Sequence, residues 1–448
     1  MMESALPDGW ASITLNDALE TIVGGGTPSK ENPEYFQGSI PLMTVKDMKE
    51  PRPSSTGFNI TEEALKNSSA KLVPADTVII ATRMGLGKVV RPMMETAINQ
   101  DLKALFPNSA LTKTYLEKWL TSIASKIEAM GTGTTVKGVR LNQIRQLTIP
   151  LAPLNEQYRI VEKIEALFSQ LDHGEAALRD VKKLLTRYRQ SILKAAVTGE
   201  LTGTYDDLHN KNIWQKVRLG NLLTDIRYGT AKKCHTKNDG IAVLRIPNVV
   251  KGTIDLQDLK FTHLEEKELE KLSLKEGDVL IVRSNGSANL VGRAAVVNKA
   301  AVGLAFAGYL IRLRLDQDQL LPKFLRLILD SPQVRANIER HARSTSGVHN
   351  INSSEIKSID FQLPPISLQK EILGQFEIYM NEVEQLEMLC KAELARSSAL
   401  RQSILKEAFS GKLVLQDPDD EPASKLLTRV REERSVQPKV QTRNKITA

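Results

Sequence analysis

The strongest constraint on this chain is a long internal repeat. Arg189–Leu201 has the sequence RQSILKAAVTGEL and Arg401–Leu413 has RQSILKEAFSGKL, so nine of 13 positions are identical at an offset of 212 residues. This offset is far longer than the repeats of about 20–50 residues that build solenoids. The repeated unit is therefore a whole domain with the helix that follows it. We expect two similar halves with pseudo-two-fold symmetry.

The repeat continues towards the start of each half. Trp10 corresponds to Trp214, and a glycine turn follows in both halves. The segments 73–80 and 275–282 each join a turn to a β-branched run, which is typical of a strand. Short helical patterns follow at 115–120 and 324–329. The mixture predicts an α+β head in each half.

A heptad pattern follows each head. The apolar positions alternate in steps of four and three residues: Ile160, Ile164, Leu167, Leu171, Leu178, Val181, Leu185, Tyr188 and Ile192, then Ile372, Phe376, Tyr379, Val383, Leu386, Cys390, Leu400 and Ile404. This period indicates a coiled coil, interrupted at Gly174 in the first copy and at Glu393 and Ser397 in the second. We expect the two helices to pair antiparallel. The alternative is that each helix packs on its own head.

Prolines precede each helical pattern and Gly199 or Gly411 follows it, as helix start and stop rules require. The resulting division has six segments: a first head at 1–152, a first long helix at 153–200, a linker at 201–212, a second head at 213–364, a second long helix at 365–412 and a partly disordered tail at 413–448. Within the tail, disorder is expected over the charged stretch 429–445.

Composition limits the class of protein. The formal net charge of +8 and pI near 9.2 favour a polyanionic partner, although only weakly. Two cysteines do not form a disulfide framework, which is typical of a reducing cytoplasm. We find no signal-peptide pattern and no apolar run of the length a membrane span needs, and therefore expect a cytoplasmic protein with no membrane partner.

The sequence contains no recognisable catalytic apparatus. Cys234-His235 lacks a second ligand pair at zinc spacing, and Gly85–Lys88 lacks the glycine spacing of a phosphate-binding loop. Asn32-Pro-Glu-Tyr35 is close to the Asn/Asp-Pro-Pro-Tyr/Phe motif of adenine methyltransferases, but Glu34 replaces the second proline. We predict no catalytic residue and no metal site. A chain with two heads and a spacer is expected to recognise a target without transforming it.

These features resemble the specificity subunit of type I restriction–modification enzymes. The resemblance rests on the order head, heptad helix, head, heptad helix, on the R-Q-S-I-L-K-x-A-x-x-G-x-L box that ends both helices, and on the helix starts Ala152–Gln157 and Pro364–Gln369. It implies that each head recognises one half of a bipartite DNA site, while the helices set the spacing and dock two methyltransferase subunits. Two nuclease–translocase subunits would complete the complex. S-adenosylmethionine, ATP and Mg belong to those partners, and no cofactor is expected on this chain.

Double-stranded DNA has the pseudo-two-fold symmetry that the repeat predicts, and differing heads imply differing half-sites. Lys and Arg would contact phosphates, and a few polar side chains on loops after strands would contact bases. The candidate DNA-binding residues are Thr44, Lys46, Arg83, Lys88, Thr134, Thr135 and Lys137 in the first head, and Arg245, Asn248, Arg283, Asn285, Arg293, Ser346, His349 and Asn350 in the second.

Two other classes of function remain open at this stage. A non-enzymatic scaffold would use the heads to bind proteins and the coiled coil to join complexes. A self-sufficient methyltransferase would bind its cofactor alone, which we do not expect. The sequence does not specify which bases are recognised or how far apart the half-sites lie.

Overall fold

The computed structural model describes residues 6–133, 136–203, 213–345 and 348–436. The chain divides into two compact units. Unit 1 contains the chain up to Ala177 and the chain from Glu393 onwards, and unit 2 is Leu178–Ala392. Each unit therefore contains one head, the first part of the helix that follows it and the last part of the other long helix.

The first head mixes short strands with short helices. Its elements are β1 (Ala11–Thr14), α1 (Leu15–Ala18), β2 (Leu19–Gly24), β3 (Ile40–Met43), β4 (Asn59–Ile60), α2 (Glu62–Lys66), β5 (Lys71–Val73), β6 (Val78–Ala81), β7 (Val89–Val90), β8 (Thr96–Ile98), β9 (Leu102–Pro107), α3 (Lys113–Ser122), α4 (Ala124–Ala129), α5 (Leu141–Arg145) and β10 (Thr148–Leu151). The sheets have the orders β2-β9-β6-β7, β4-β3-β8-β5 and β1-β10. Strand β6, VIIA, is buried along its whole length, as expected for an apolar central strand.

The long helix α6 (Leu154–Thr198) leads to the second head. The remaining elements are β11 (Gln215–Arg218), β12 (Leu223–Tyr228), β13 (Ile241–Leu244), β14 (Lys260–Thr262), α7 (Glu266–Leu272), β15 (Val279–Val282), β16 (Ser284–Asn285), β17 (Ala294–Val296), β18 (Ala305–Phe306), β19 (Leu310–Leu315), α8 (Pro322–Asp330), α9 (Pro332–His341), β20 (Arg343–Thr345), β21 (Val348–Asn350), α10 (Ser353–Lys357), β22 (Asp360–Leu363), the long helix α11 (Ile366–Ala408) and α12 (Ala423–Val436).

The two heads share one topology. The four-stranded sheet β12-β19-β15-β17 repeats the order β2-β9-β6-β7, and β13 pairs in parallel with β18 as β3 does with β8. The registers also agree: Ala81 pairs with Leu102, and Val282 pairs with Leu310. In each head the first and last strands pair antiparallel, β1 with β10 and β11 with β22. The expectation of two repeated α+β heads is confirmed.

A buried glutamine fixes the start of each long helix to its own head. The Gln157 side chain accepts a hydrogen bond from the backbone N–H of Thr112 at 2.9 Å and donates to the carbonyls of Ala110 and Ala152 at 2.8 and 3.0 Å. Thr112 caps the N-terminus of α3. The glutamine therefore joins the start of α6 to the start of α3.

Gln369 makes the same contacts in the second head. It accepts from the backbone N–H of Leu321 at 2.9 Å, and it donates to the carbonyls of Gln319 and Pro364, both at 2.8 Å. Both glutamines are fully buried. Since every hydrogen-bonding atom of a buried amide needs a partner, the glutamine shared by the two helix starts has a structural role.

Helices α6 and α11 have 45 and 43 residues, so each extends for about 65–70 Å at about 1.5 Å per residue. Helix α6 begins directly after Pro153 and ends before Gly199, which has a φ of 87°. This left-handed conformation costs glycine little and is the common way to end a helix.

Within unit 1 the two helix segments pack antiparallel. Arg401 contacts Asp172 at 2.6 Å, and Ser397 donates a hydrogen bond to Glu175 at 2.7 Å. From Ser397 to Arg401 the contacts move towards the C-terminus of α11, and from Glu175 to Asp172 they move towards the N-terminus of α6. Ser397 is buried, and the carboxylate of Glu175 satisfies its hydroxyl. The polar break in the predicted heptad pattern is thus a hydrogen-bonded position of the helix pair.

Unit 2 repeats this antiparallel arrangement. Arg189 pairs with Glu387 at 3.4 Å, whereas Ala196, further along α6, shares a buried cluster with Ile372. A second cluster joins Leu185 and Ile192 to Val383 and Cys390. The predicted antiparallel helix pairing is confirmed within each unit.

The contact between the two long helices buries fewer positions than the heptad pattern predicts. Its buried positions recur every seven residues, at 185 and 192 in α6 and at 383, 390 and 397 in α11. The intervening apolar positions Val181, Tyr188, Leu386 and Leu400 are exposed. Apolar side chains are therefore left exposed beside the helix contact.

Helix α12 corrects the expectation for the C-terminal segment. Disorder was expected from residue 429, but the helix continues to Val436. Ala423, Leu427 and Val430 are buried against the core of the first head, since their spacing of four and three places them on one helix face. Arg159 and Asp420 add an ion pair at 2.7 Å. Residues 437–448 lie outside the described residues.

Candidate nucleic-acid interface

The first head has an open groove of about 950 Å³ beside the end of β3. Its cationic lining residues are Lys30, Lys46 and Lys88. Phe58 and Met84 also line it, with 54% and 69% of their surfaces exposed. Large apolar side chains among lysines suit a partner with anionic and flat apolar parts.

The second head has two concavities at the end of β13 and β15. One, of about 850 Å³, is lined by the cations Lys232, Lys233, Arg245, Lys260 and Arg283. The other, of about 310 Å³, has Arg283, Gly308, Tyr309 and Asn350 among its lining residues. The charge is partly neutralised, because Lys232 pairs with Glu268 at 2.8 Å and Arg245 with Asp258 at 2.8 Å.

The grooves of the two heads are equivalent, as backbone hydrogen bonds establish. The N–H of Thr82 donates to the carbonyl of Asp101 at 2.8 Å, and the N–H of Arg283 donates to that of Tyr309 at 2.9 Å. Asp101 therefore corresponds to Tyr309. By the strand registers, Thr44 corresponds to Arg245 and Phe58 to Lys260.

These equivalent positions differ in chemistry. The first head has the hydroxyl of Thr44, the apolar Phe58 and the carboxylate of Asp101. The second head has two cations and an aromatic ring at the same places. One backbone frame thus presents two chemically different surfaces.

Thr44, Lys46 and Lys88 all line the first groove, as candidate binding residues should. The Thr44 hydroxyl donates to Asp47 at 2.7 Å, within a capping interaction that shapes the 3₁₀ turn Val45–Asp47. The hydroxyl is thus already engaged, whereas the ammonium groups of Lys46 and Lys88 extend from exposed residues.

Arg83 and Lys137 lie beside the first groove. Arg83 is half-exposed, 3.7 Å from Asp101, and its backbone bridges Gly138. Lys137, which directly precedes Gly138, is exposed. Behind them, burial lowers the pKa of Lys103, with Asp101 opposing and Arg83 reinforcing the shift. The candidates Thr134 and Thr135 lie outside the described residues.

The structure does not support a DNA-contact role for Asn248. Its surface is 2% exposed. Its Oδ1 accepts from the backbone N–H of Arg245 at 2.9 Å, and its Nδ2 donates to the carbonyls of Asp255 and Gln257 at 2.8 and 2.9 Å. Because the amide is fully used inside the head, Asn248 is a capping residue equivalent to Asp47.

Arg245 and Arg283 both line the larger concavity of the second head. The Arg283 guanidinium lies over the ring of Tyr228, 4.7 Å from its centroid. This contact orients the guanidinium without neutralising its charge. Nearby, burial raises the pKa of the Cys234 thiol.

Asn285, His349 and Asn350 are brought together by a small sheet that orders β16-β21-β20. Asn285 is directly opposite His349, and Ser284 is opposite Asn350. The Asn285 side chain accepts from the N–H of Ser287 at 2.9 Å. Asn350 lines the smaller concavity, beside Arg283. The candidate Ser346 lies outside the described residues.

Arg293 occupies the position equivalent to Lys88, because Val282 and Ala81 donate backbone hydrogen bonds to Arg293 and Lys88, respectively. Its guanidinium is 3.2 Å from Asp330. The structure thus gives Arg293 an acidic partner in its own head.

Three further residues that line the grooves, Phe58, Met84 and Tyr309, were not among the candidates predicted from the sequence. Each lies in a loop next to a strand end, and each is exposed despite its size. Apolar residues close to Lys46, Lys88 and Arg283 were the available signal, but sequence alone did not distinguish them from core residues.

The described residues contain no group of three or more His, Cys, Asp or Glu side chains arranged to hold a metal ion. Among the described helices, none combines the length and the apolar character that a membrane span requires.

The long helices also carry exposed apolar side chains. In unit 2, Val181, Leu184 and Tyr188 follow each other at steps of three and four on α6. Residues with this spacing share one helix face. This stripe suits a protein partner.

Comparisons with known proteins agree with this architecture. The family model described as "Type I restriction modification DNA specificity domain" matches residues 7–179 and 212–394. Over 97% of its length, the chain is 29% identical to the StySPI specificity subunit of Salmonella potsdam, covering 98% of that protein. It is also 29% identical to the EcoKI specificity subunit of Escherichia coli K12, with 97% of each chain covered.

Solved structures show the same fold. A structure described as the basis of complex assembly and conformational transition of the type I R-M system matches 91% of this chain and 100% of its own, with a TM-score of 0.68 at 20% identity. The HsdS subunit from Thermoanaerobacter tengcongensis matches 92% of this chain and 99% of its own, with a TM-score of 0.57 at 19% identity. With two heads of one topology, two long helices and both family matches in place, the chain belongs to the type I restriction–modification DNA specificity family.

Proposed function

We propose that this chain is the DNA-recognition subunit of a type I restriction–modification complex, in which each head recognises one half of an asymmetric bipartite site. The observation that carries the proposal is the pair of equivalent grooves with different linings. A common frame explains how two heads dock on DNA in the same way. The different side chains explain why their half-sites differ.

Phosphate contacts supply most of the affinity in this proposal. Lys30, Lys46 and Lys88 line the first groove, and Lys233, Lys260 and Arg283 line the second. Among the described residues, no acidic partner is seen for these six side chains. Each Lys or Arg that neutralises a phosphate releases counterions, so binding weakens steeply with salt.

Base recognition comes from other side chains of each head, which differ in chemistry between the two heads. Arg245, Asn285 and Asn350 in the second head offer donors and acceptors of the kind that pair with guanine and adenine edges. Phe58 and Met84 in the first head suit contact with thymine methyl groups. The second half-site is therefore expected to be richer in specified purines on the contacted strand.

The long helices set the separation of the half-sites. In this proposal residues 1–152 and 213–364 are the target recognition domains, and residues 153–200 and 365–412 are the spacer. The exposed stripe of Val181, Leu184 and Tyr188 belongs to the surface on which two methyltransferase subunits dock. Two nuclease–translocase subunits then complete the complex.

Catalysis belongs to the partner subunits, which use S-adenosylmethionine, ATP and Mg. This chain binds none of them and works in the cytoplasm. The proposal is supported by the specificity-subunit family and by the cations that line the groove of each head.

The test is DNA selection with the full-length chain in its native complex, using duplexes with a randomised centre. We expect one enriched motif with two unequal specified halves and a random gap. Lys233→Ala and Lys260→Ala should each lower the salt slope of binding by about one, while Lys299→Ala, an exposed control outside the groove, should not.

A protein-binding scaffold would behave differently. It would show little salt dependence and enrich no motif from the duplex pool. That result would reject DNA recognition as the function of the heads.

A further inference from the structure

Tyr309 is the most exposed aromatic side chain beside the second groove, with 65% of its surface accessible. It lines both concavities of this head, together with Arg283 and Gly308. The ring thus stands at the boundary between two hollows. The Tyr309 ring is therefore called the ridge.

The backbone under this ring is held firmly. The carbonyl of Tyr309 accepts from the N–H of Arg283 at 2.9 Å, the N–H of Gly308 donates to Thr230 at 2.8 Å, and the N–H of Leu310 donates to Ala307 at 2.9 Å. An aromatic ring on a rigid turn loses little conformational entropy when it binds a partner. The fold therefore holds the Tyr309 ring in an exposed position.

The surroundings indicate what the ring contacts. Arg283 lines the hollows on both sides of the ring, and Lys233 and Lys260 line the larger one. A partner that is anionic and also offers flat apolar faces fits this combination. Nucleic acid meets both requirements, because a base stacks on an aromatic side chain while phosphates contact the cations.

The first head lacks this ridge. Asp101 occupies the equivalent position, and its carboxylate accepts from Asn99 at 3.1 Å. Its side chain is only 11% exposed. Any stacking contact at this position is therefore confined to the second head.

We propose that Tyr309 stacks against a base of the second half-site and acts as a specificity-determining wedge, with no counterpart in the first head. This inference rests on the proposed function. A wedge partly unstacks a base step, and pyrimidine–purine steps unstack most readily. The second half-site should therefore contain such a step where the ring inserts.

The experiment compares Tyr309→Ala, Tyr309→Phe and the wild-type full-length chain, each in its native complex. The probe is the duplex enriched from the randomised pool, with 2-aminopurine placed in turn along each half-site. Val302→Ala is the control, since Val302 is an exposed apolar residue of the same head outside both hollows.

Tyr309→Ala should bind about 5- to 150-fold more weakly, as expected for the loss of one stacked base. Tyr309→Phe and Val302→Ala should keep wild-type affinity, since both retain the ring. The wild-type chain should raise 2-aminopurine fluorescence at one step of the second half-site, and Tyr309→Ala should abolish this signal.

Three results would overturn the inference while leaving DNA recognition intact: equal affinity of Tyr309→Ala and wild type, a loss in Tyr309→Phe as large as in Tyr309→Ala, or a lowered melting temperature of Tyr309→Ala that explains its weaker binding. If the wild-type complex enriches no duplex at all, the proposed function fails and the wedge fails with it.

Discussion

Replacing Gln369 by Met should loosen the second head at the start of α8 and leave the first head unchanged. Methionine has a similar length and volume but makes none of the three hydrogen bonds of the amide. The N–H of Leu321 and the carbonyls of Gln319 and Pro364 would then lose their partner. Burial keeps water from replacing it fully.

The magnitude follows from these three hydrogen bonds. Each contributes about 1 kcal/mol net, and an orphaned buried group costs about 1–3 kcal/mol, so we expect a loss of about 2–4 kcal/mol. This corresponds to roughly 30- to 1,000-fold faster exchange of the amides that the contact protects.

The assay is native-state hydrogen exchange read by mass spectrometry, because it reports each head separately where a single unfolding midpoint does not. Peptides that cover Leu321 should exchange faster in Gln369→Met, and peptides that cover Thr112 should not change. Gln157→Met should give the converse pattern. Gln375→Met, an exposed site on the same helix, is the matched control. Unchanged exchange at Leu321 would refute the structural role of the buried glutamine.

Three further predictions concern the helices and the tail. Gly174→Ala should stabilise α6 by about 0.5–1 kcal/mol, because an added Cβ meets nothing within 4 Å, and a fall in melting temperature would contradict this. The hydrogen bond from Arg159 lowers the pKa of Asp420, so this ion pair contributes stability above the ordinary carboxylate range and loses it as the pH falls through the folded pKa. Protection of the α12 amides, expressed relative to their intrinsic exchange rate at each pH, should therefore fall in acid, and Asp420→Asn should show the lower protection already at neutral pH; equal protection of both proteins at neutral pH would count against the ion pair. Inserting one heptad into the middle of α6 should shift or abolish the selected half-site gap, whereas an unchanged gap would reject the spacer role.

The repeat allowed the architecture to be predicted from sequence. The box at Arg189–Leu201 and Arg401–Leu413 marks where both helices end, and the prolines before Leu154 and Ile366 mark where they begin. These signals are local, so no knowledge of tertiary contacts was needed. The antiparallel pairing of the helices followed from the two-fold symmetry of the repeat and from the matched phase of the two heptad patterns.

The width of the helix contact was not predictable in the same way. Leu386 and Leu400 fit the heptad phase, but they are exposed, while Ser397 is buried on Glu175. Periodicity identifies apolar positions and does not tell which of them face the paired helix and which face another protein. The pattern of apolar residues likewise does not predict hydrogen bonds between the helices.

Helix α12 was missed because charge dominated the local composition. Ala423, Leu427 and Val430 have helical spacing, yet arginines and glutamates surround them. Only the core of the first head provides the surface that stabilises this short helix. Tertiary packing therefore decides its structure.

The residues that line the candidate grooves were only partly predictable. Lys46, Lys88 and Arg283 lie in the grooves as loop cations should, but Asn248 is buried as a cap. An asparagine in a loop serves equally well as a cap or as a contact to a base, and its hydrogen-bond partners alone distinguish the two. Tyr309 needed the structure, since only the fold exposes it.

The most direct test of the central claim is the selected DNA motif of the wild-type chain compared with that of Arg283→Ala, each in its native complex. Two unequal half-sites should emerge for the wild type, and the substitution should relax or weaken only the half recognised by the second head. A single continuous motif, or an equal loss in both halves, would contradict recognition of each half-site by its own head.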